Sequence, residues 1–288
     1  MTCGEGDAWW LVMTMPSDDG AKPRLPEDYF RRTSGARIYD YILGGKDNYQ
    51  LDREAGDAAL LAWPALGISM RANRAFMHRV ARYLAAEAGL RQFLDIGTGL
   101  PTAPNLHEVV QGIWPEARIV YTDNDPIVLV HAQALLTSSP EGVTAYVQGD
   151  MREPGSIIDA PDLAATLDLA QPVGLTVIAM LHFIDDEAEA HRVLHHVLDR
   201  LPSGSYLALS TATNDFDPVP LAEVERAYRE RGETLRHRGK QEVERFFEGL
   251  ELVDPGVVQV HKWRPDAVTI GSVADKDVAM YGGVARKP

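Results

Sequence analysis

The amino-acid sequence predicts an α/β fold in which helices cover both faces of a parallel sheet. From Gly89 onward, short apolar runs alternate with helix-length segments, as in consecutive strand–helix–strand units. One of these runs, Phe93 to Gly99, has the pattern of a buried strand that enters a glycine turn before a helix. Hydrophobic residues make up 45% of the 288 residues and charged residues 24%, so the chain can bury a sizeable core.

The composition divides the chain into three parts. Residues 16–28 are rich in proline, glycine, serine and aspartate, and we interpret residues 1–28 as a flexible N-terminal tail. Residues 29–89 are predicted to form a helical cap or lid. Residues 90–288 are predicted to form the α/β domain.

The predicted cap contains one clear helix, from about Met70 to Ala88. Ser69 is its predicted N-cap and Gly89 its stop signal. Apolar residues recur in it at helical spacing, so one face is expected to be buried. Upstream, the segment from Arg37 to Tyr49 crowds aromatic, charged and glycine residues together. This segment is predicted either to fold over a ligand as a lid or to anchor the N-terminus as a helix with a glycine hinge.

The α/β domain begins with five predicted parallel strands. They are Gln92 to Ile96, Arg118 to Asp123, Val143 to Gln148, Val173 to Met180 and Ser205 to Thr211. The predicted helices are Asn105 to Ile113, Pro126 to Leu136, a broken stretch around Ile157 to Leu167, Asp186 to Leu201, Leu221 to Arg231 and Lys240 to Glu248. Two short runs, Glu251 to Val253 and Val257 to Trp263, are predicted as the final strands, joined by a turn at Asp254-Pro255-Gly256.

Charge and cysteine content argue against several classes of protein. The formal net charge of −14 repels phosphate polymers and anionic membranes, so we expect neither a nucleic-acid nor a membrane partner. No run approaches the about 18 apolar residues of a membrane helix. The single cysteine, Cys3, excludes an internal disulfide framework and a cysteine-based zinc cluster. The apolar run Ala8 to Met13 lacks the basic flank of a secretory signal, so a cytoplasmic location is expected.

The sharpest functional signal is the turn Gly97-Thr98-Gly99. Glycines allow a ligand to approach the backbone closely, and the helix that follows offers free N–H groups, so a nucleotide-like molecule can lie across the strand ends. Asp123 ends the second strand, where a carboxylate can accept both hydroxyls of a ribose. Asp150 follows the third strand, where it can meet an adenine amine. The alternative is that both aspartates are only cap or turn residues.

The glycine motifs fit neither of two common phosphate sites. A dinucleotide fingerprint needs a third glycine where Thr102 stands, and Pro101 stiffens the turn, which argues against hydride transfer. Gly44-Gly45-Lys46 is not a P-loop, because that motif needs glycine in place of Asp40 and serine or threonine in place of Asp47.

Three strand-end motifs resemble those of class I S-adenosylmethionine-dependent methyltransferases. They are Leu94-Asp95-Ile96-Gly97-Thr98-Gly99, Val120-Tyr121-Thr122-Asp123-Asn124-Asp125-Pro126 and Gly149-Asp150-Met151. From about Ser34 to the C-terminus, the chain is more specifically similar to a bacterial S-adenosyl methyltransferase family long treated as a domain of unknown function. That similarity is carried by Ser34 to Tyr49, Arg71 to Phe76, Gly97 to Thr102 and Trp263-Arg264-Pro265.

The resemblance implies a Rossmann-like seven-stranded sheet in the order 3-2-1-4-5-7-6, with an antiparallel seventh strand, and S-adenosyl-L-methionine as the cofactor. It places the methionine part of the cofactor along the glycine turn, the ribose on Asp123 and the adenine beside Asn124, Asp150 and Met151. The implied cofactor-binding residues are Arg74, Asp95, Gly97, Thr98, Gly99, Asp123, Asn124, Asp150, Met151 and Met180. Arg37 or Arg74 could pair with the cofactor carboxylate through a bidentate contact.

The resemblance also places Met180, Leu181 and His182 beside the transferred methyl group. A hydroxyl or carbon nucleophile would gain from a base there, so His182 is either that base or a residue that only lines the pocket or bonds the backbone. The substrate-side or lid candidates are Arg37, Tyr39, Tyr41, Asp47 and Asn48.

Two other clusters have simpler interpretations. His191 and His195 lie four residues apart on one helix, but the sequence supplies no third ligand, so no metal site is predicted. Between Arg226 and Arg245, arginines alternate with glutamates, as in a solvent-exposed helix pair with intrahelical ion pairs. The same stretch could also roof the substrate pocket.

The sequence therefore predicts a methyltransferase that uses S-adenosyl-L-methionine and methylates a small molecule, such as one from secondary metabolism. No Asn-Pro-Pro-Tyr signature follows the fourth strand, which argues against methylation of DNA-base amines. Two alternatives stay open. One is an enzyme that uses the same cofactor but releases methylthioadenosine during a cyclisation, and the other is a protein that binds the cofactor or its demethylated product without catalysis.

Overall fold

A central sheet of eight strands organises the computed structural model, which describes residues 29–267 and 270–288. The strands are β1 Gln92–Ile96, β2 Arg118–Asp123, β3 Val143–Gln148, β4 Gly174–Ile178, β5 Tyr206–Ala212, β6 Glu251–Leu252, β7 Val258–Gln259 and β8 Met280–Arg286. Their order is β3-β2-β1-β4-β5-β8-β6, and β7 pairs with β8 off this path. The predicted Rossmann-like class is confirmed, including all five parallel strands.

The strand order reverses at β1. This strand pairs in parallel with β2 on one side and with β4 on the other. β3 extends the first half and β5 extends the second. The connections from β1 and β4 therefore leave the sheet in opposite directions, and this opens a crevice at the carboxyl ends of the strands.

The C-terminal strands differ from the sequence prediction. The antiparallel strand beside β5 is β8, which pairs over its full length from Ala212↔Met280 to Tyr206↔Arg286. The predicted strand Val257 to Trp263 is reduced to the two residues of β7, followed by a 3-10 helix at Val260–Lys262. β8 was missed because Gly282 and Gly283 interrupt its apolar pattern.

Ten α-helices surround the described part of the sheet. They are α1 Gly35–Ile42, α2 Gln50–Ala62, α3 Leu66–Arg82, α4 Leu106–Gln111, α5 Pro126–Leu135, α6 Gly155–Ile158, α7 Pro161–Thr166, α8 Glu187–Arg200, α9 Pro218–Arg229 and α10 Lys240–Arg245. Within residues 29–267 and 270–288, no helix has both the length and the apolar content that crossing a membrane requires. The tail predicted over residues 1–28 lies outside the described residues.

The predicted helix of the cap begins earlier than expected. It starts at Leu66, and a π-helical turn at Tyr83–Glu87 extends α3 up to the predicted stop at Gly89. Ser69 is therefore not its N-cap. Ser69 lies within the helix, where its buried hydroxyl accepts a hydrogen bond from the Ala279 N–H at 3.0 Å.

The cap shares its core with the sheet. Ile38, Trp63 and Phe76 from the cap belong to one apolar cluster with Ile119 of β2 and Val284 of β8. The buried Arg79 side chain of α3 adds polar anchors, donating to the main-chain carbonyls of Trp263 at 2.8 Å and Val260 at 2.6 Å. Because of this common core, α3 has a fixed position over the carboxyl ends of the strands.

We predict that Gly282→Ala destabilises the protein by about 1–3 kcal/mol, the cost of overpacking a filled core. A Cβ at Gly282 would lie 2.9 Å from the Phe76 ring and 3.0 Å from Val260. Urea unfolding followed by circular dichroism measures the change. The control is Gly155→Ala, whose Cβ would meet only Asp159 Oδ2 at 3.5 Å and should leave stability unchanged or slightly higher. Equal stabilities of the two variants would contradict this packing of α3 on β8.

Candidate functional site

A cavity of about 520 Å³ lies at the carboxyl ends of the parallel strands, beneath the cap. Its volume is typical of sites for small ligands. One half is lined by polar groups from the loops after β1, β2 and β3, and the other half by apolar side chains from α3, α9 and the start of β8. The crevice left by the reversal of strand order is thus the floor of a covered pocket.

The glycine turn after β1 leaves open space on its cavity side. Gly97 and Gly99 have left-handed φ angles of 73° and 67°. A Cβ at Gly97 would lie 2.6 Å from Met180 Cγ, whereas a Cβ at Gly99 would meet nothing within 4 Å. The N–H groups of Gly97 and Thr98 donate to the Thr122 carbonyl of β2 at 2.9 and 3.1 Å. The turn is therefore held rigidly against β2 while its backbone at Gly99 faces open space.

Asp123, at the end of β2, has its carboxylate fixed beside this turn. One oxygen accepts the Gly99 N–H and the other accepts the Asp125 N–H, both at 2.9 Å. Burial raises the pKa of Asp123 to about 6, against the lowering effect of these two hydrogen bonds. Asp123 is therefore both a turn residue, as its alternative interpretation held, and a cavity-lining carboxylate.

The loops after β2 and β3 meet through their polar side chains. Asn124 Nδ2 donates to Asp150 Oδ2 at 3.0 Å, and the Arg152 N–H donates to Asp150 Oδ1 at 2.8 Å. Met151 is buried beside them and lines the cavity. The structure thus brings together the predicted features at the ends of β1, β2 and β3.

A cation and a carboxylate flank the other end of the glycine turn. Arg74 donates from Nη2 to the carbonyls of Thr102 and Pro104, while its buried Nε has no hydrogen-bond partner in the described residues. Asp95 accepts the Thr176 hydroxyl at 2.5 Å, and burial raises its pKa. Burial lowers the pKa of Arg74, which Asp95 and Tyr39 counteract.

These groups fit an adenosyl amino acid. The space beside Gly99 admits a ligand against the backbone, and Asp123 can accept hydrogen bonds from ribose hydroxyls. The Asn124–Asp150 pair lies where it can form hydrogen bonds with the edge of an adenine ring. Arg74, with an unpartnered buried N–H, can receive a carboxylate. Asp95 can receive an ammonium group. The donor set matches the cofactor that the motifs imply.

Arg37 is committed to contacts within the cap and between the cap and the N-cap of α5. Its Nε donates to Asp52 at 2.7 Å, Nη2 donates to the Arg32 carbonyl at 2.6 Å, and Nη1 lies 3.4 Å from Asp125. The side chain is 2% exposed. Both arginines considered for the cofactor carboxylate line the cavity, and Arg74 is the one with a side-chain donor, the buried Nε, that has no hydrogen-bond partner in the described residues.

The remaining lid candidates divide between two faces of the cap. Tyr39 lines the cavity and donates its hydroxyl to the Met70 carbonyl at 3.0 Å. Tyr41, two residues along the same helix, points elsewhere and donates to Asp57 at 2.6 Å. Asp47 lies 3.7 Å from His131, and Asn48 donates to Asp40 at 2.8 Å. Tyr41, Asp47 and Asn48 are therefore outside the cavity lining; Tyr41 and Asn48 bond within the cap, and Asp47 lies beside His131 of α5.

His182 follows β4 in a strained part of the cavity wall. Ala179 has a left-handed φ of 56°, stabilised by the donation of its N–H to the hydroxyl of Ser210 at 3.0 Å. His182 Nδ1 accepts the Ala212 N–H at 3.3 Å, and burial lowers its pKa to about 3. The ring is neutral near pH 7, and because Nδ1 is the acceptor, Nε2 carries the proton. His182 therefore presents a hydrogen-bond donor to the cavity rather than a basic lone pair.

Sequence reasoning left out several cavity residues that come from α9 and the loop after it. The stretch from Arg226 to Arg245, interpreted as an exposed helix pair that could also roof the pocket, has side chains both on the outside and in the cavity lining, and α9 adds two lining residues that precede this stretch. Arg226 pairs with Glu223 and Glu230 on the outside, while the inner residues Leu221, Val224, Tyr228, Leu235 and His237 line the cavity. The signal was present in the apolar residues of α9, which recur at helical spacing.

The predicted absence of a metal site concerns the histidines of α8. His191 stacks on Phe246 with ring centroids 4.4 Å apart and pairs with Glu187 at 3.3 Å. In the described ranges, no group of three or more histidine, cysteine, aspartate or glutamate side chains is arranged to hold a metal ion.

Comparison with known proteins agrees with the cofactor that the motifs imply. A family model described as S-adenosyl methyltransferase matches residues 28–288. The chain is similar to a DUF574 family protein from Streptomyces avermitilis, with 58% identity, a TM-score of 0.88, and coverage of 90% of this chain and 99% of that one. It is also similar to a proposed methyltransferase from Thermobifida fusca, with 38% identity, a TM-score of 0.82, and coverage of 91% and 97%. No curated protein matches the chain.

We predict that Gly99→Ala abolishes tight binding of S-adenosylhomocysteine. The added methyl group would occupy the open space at the turn that the ligand needs. We expect the binding free energy to weaken by about 1.4 kcal/mol or more, which lowers the affinity by about tenfold or more. Isothermal calorimetry measures the affinity. The control is Gly249→Ala, at an exposed glycine with a φ of 79° and no atom within 4 Å of its Cβ. Both variants carry the same backbone strain of about 1–2 kcal/mol, so equal affinities in the two would contradict a ligand at Gly99.

We predict that S-adenosylhomocysteine binding weakens as the pH falls through about 6, the pKa to which burial raises Asp123. The deprotonated carboxylate accepts the ribose hydroxyls, so below that pH affinity should fall by up to about tenfold for each pH step of one. Calorimetry from about pH 8 to about pH 5.5 measures the profile. The Asp123→Asn variant should bind S-adenosylhomocysteine more weakly than wild type at high pH, and its affinity should not change as the pH falls through about 6. A flat wild-type profile would argue against ionised Asp123 as a ligand-binding group.

Proposed function

Because this chain belongs to the S-adenosyl methyltransferase family and is an S-adenosylmethionine-dependent methyltransferase, we propose that it methylates a small, largely apolar organic molecule, such as a product of secondary metabolism. The acceptor would occupy the half of the cavity beneath the cap. The family fixes the methyl donor, and the acceptor is inferred from the shape and chemistry of this half.

The observation that carries the proposal is the apolar wall of the acceptor half. Trp63, Met70 and Met77 line it from the cap side. Leu221 and Val224 of α9 line the cavity as well and belong to the same apolar cluster as Trp63 and Met77. Such a surface favours an aromatic or aliphatic skeleton with a small number of polar groups. The polar side chains that could orient such a molecule are Tyr39, Asn73, His182 and His237.

The enclosure of the cavity argues against a macromolecular acceptor. α2 packs against α9, and the Trp63 indole N–H donates to Asp217 at the start of α9, at 3.2 Å. These contacts place two helices beside the apolar part of the cavity, and the limited space between them disfavours a nucleic-acid strand or a folded protein as the acceptor. The net charge of −14 is a second argument against nucleic acid. The single cysteine is consistent with our proposal of a cytoplasmic enzyme.

The chemistry requires alignment more than acid–base catalysis. The sulfonium of the cofactor supplies an activated methyl group with a good leaving group. The chain has to hold the attacking atom in line with that methyl and keep water out. The fixed glycine turn, the Met180 side chain against Gly97 and the roof of cap and α9 would perform these tasks.

We predict that incubation of the protein with methyl-labelled S-adenosylmethionine and a heat-inactivated Streptomyces avermitilis extract, separated by ultrafiltration, labels the small-molecule fraction and forms S-adenosylhomocysteine, whereas the same mixture without the protein does neither. Chromatography with mass spectrometry identifies both products. Methylthioadenosine as the product would contradict methyl transfer, and label in the macromolecular fraction would contradict a small acceptor.

We predict that Val224→Phe, which fills the acceptor half, reduces methyl transfer without changing S-adenosylhomocysteine affinity. Val224 is buried at the cavity, whereas Ala222 on the same helix is exposed. Ala222→Phe is therefore the control and should behave as wild type. If Val224→Phe transferred methyl at the wild-type rate, the acceptor would lie elsewhere.

A further inference from the structure

The segment after α9 is clamped to the ends of β4 and β5. The Arg236 N–H donates to the His182 carbonyl at 2.8 Å, and the Arg238 N–H donates to the Ala212 carbonyl at 2.9 Å. The buried Arg238 side chain donates to the carbonyls of Leu181 and Ile184, both at 2.8 Å. These bonds place His237 beside His182, where its ring lines the cavity.

His237 forms a dyad with Glu225. His237 Nδ1 lies 3.1 Å from Glu225 Oε2, and the other carboxylate oxygen lies 3.1 Å from Arg229 Nη2. An ionised carboxylate only accepts hydrogen bonds, so Nδ1 carries the proton and Nε2 carries the lone pair. Across the described residues, no group bonds Nε2. The His237 side chain is 3% exposed, so water has little access to it.

Both histidines line the same cavity, where His182 offers a hydrogen-bond donor and His237 offers a hydrogen-bond acceptor. His182 Nδ1 is occupied by the Ala212 N–H, which leaves an Nε2–H donor, whereas His237 presents an Nε2 acceptor. Glu225 on α9 is the charged group bonded to the His237 ring, and His237 and Arg238 both lie close enough to His182 after β4 to lower the pKa of His182. Burial lowers the pKa of His237, and Glu225 opposes this effect, so the ring is neutral near pH 7.

We propose that His237, oriented by Glu225, is the catalytic base that deprotonates a phenolic hydroxyl of the acceptor, while His182 donates a hydrogen bond to an oxygen atom next to it. This inference rests on the proposed function. A neutral amine already has a nucleophilic lone pair, so a base beside the acceptor indicates a hydroxyl. An ordinary phenol has a pKa of about 10, and an aliphatic alcohol is far less acidic, so a buried imidazole suits the phenol.

The proton and electron balance is complete without another reactant. His237 Nε2 takes the hydroxyl proton as the phenolic oxygen forms a bond to the methyl carbon. The bond between that carbon and the sulfonium breaks, and its electron pair stays on sulfur, giving the neutral thioether. His237 becomes an imidazolium beside the Glu225 carboxylate and returns its proton to water after the methyl ether leaves.

The proton positions can be tested on the whole protein without knowing the acceptor. Long-range ¹H–¹⁵N NMR of ring-labelled histidine reports the tautomer, and His237→Gln and His182→Gln assign the signals. We expect near pH 7 a proton on Nδ1 of His237 and on Nε2 of His182. An imidazolium, or a proton on Nε2 of His237, would overturn the proposal.

Methyl transfer to phenols of graded acidity tests the catalytic role. His237→Gln should lower single-turnover transfer by about 10²–10⁴-fold, with unchanged S-adenosylhomocysteine affinity. The loss should shrink for more acidic phenols, which are already ionised; an equal loss for every phenol would mean a structural role only and would overturn the proposal. Glu225→Gln should lower the rate of methyl transfer. The control is Glu223→Gln, at an exposed residue paired with Arg226, which should not lower it.

If wild type methylates only amines or thiols, the phenol assignment fails. If no small molecule of any class is methylated, the proposed function fails, whereas the tautomers then still test the orientation of His237 by Glu225.

Discussion

The buried ion pairs of Arg37 hold the cap closed, and the cavity depends on them. Arg37 joins α1 to Asp52 of α2 and to Asp125, the N-cap of α5. Tyr29 adds a hydrogen bond of 2.6 Å to the same Asp125. Removing one partner of a buried pair leaves an uncompensated charge and costs about 3–5 kcal/mol. Because Asp125 lies two residues after Asp123, the charges that close the cap also fix the loop that carries the predicted ribose carboxylate.

The burial of charged groups beneath the cap shifts the pKa values of the site residues. Burial raises the pKa of Asp95 and Asp123 and lowers that of Arg74 and His182. Charged and polar groups gather at the glycine turn, while α3 and α9 provide apolar walls on the other side. A methyl donor with a charged head and a mostly apolar acceptor would therefore occupy different halves, with the methyl group between them. This division is consistent with water exclusion as the main task of the cap.

The loop after α9 connects the acceptor half to the sheet. Its contacts with the carbonyls of His182 and Ala212 tie the roof to the strand ends where the methyl group is expected. Asp217, at the start of α9, receives the indole N–H of Trp63 from the cap. The acceptor half is thus built from two regions that are far apart in sequence, each fixed to the other and to the sheet.

The sequence by itself determined the parallel sheet, the glycine turn and the aspartates at the strand ends. These are local signals, since a strand pattern followed by Gly97-Thr98-Gly99 fixes where the backbone turns, and parallel strands bring their carboxyl ends to one edge. Tertiary structure alone decided which face of α1 lies inward, so that Tyr39 reaches the cavity, whereas Tyr41, on another face of the same helix, does not. Tertiary structure also decided the last strand, where the Phe76 ring leaves no room for a side chain at Gly282. It decided the orientation of His182 and His237 as well. Those orientations depend on contacts between different elements, such as the Ala212 N–H with His182 and Glu225 with His237 of the following loop. A local sequence pattern does not predict such contacts.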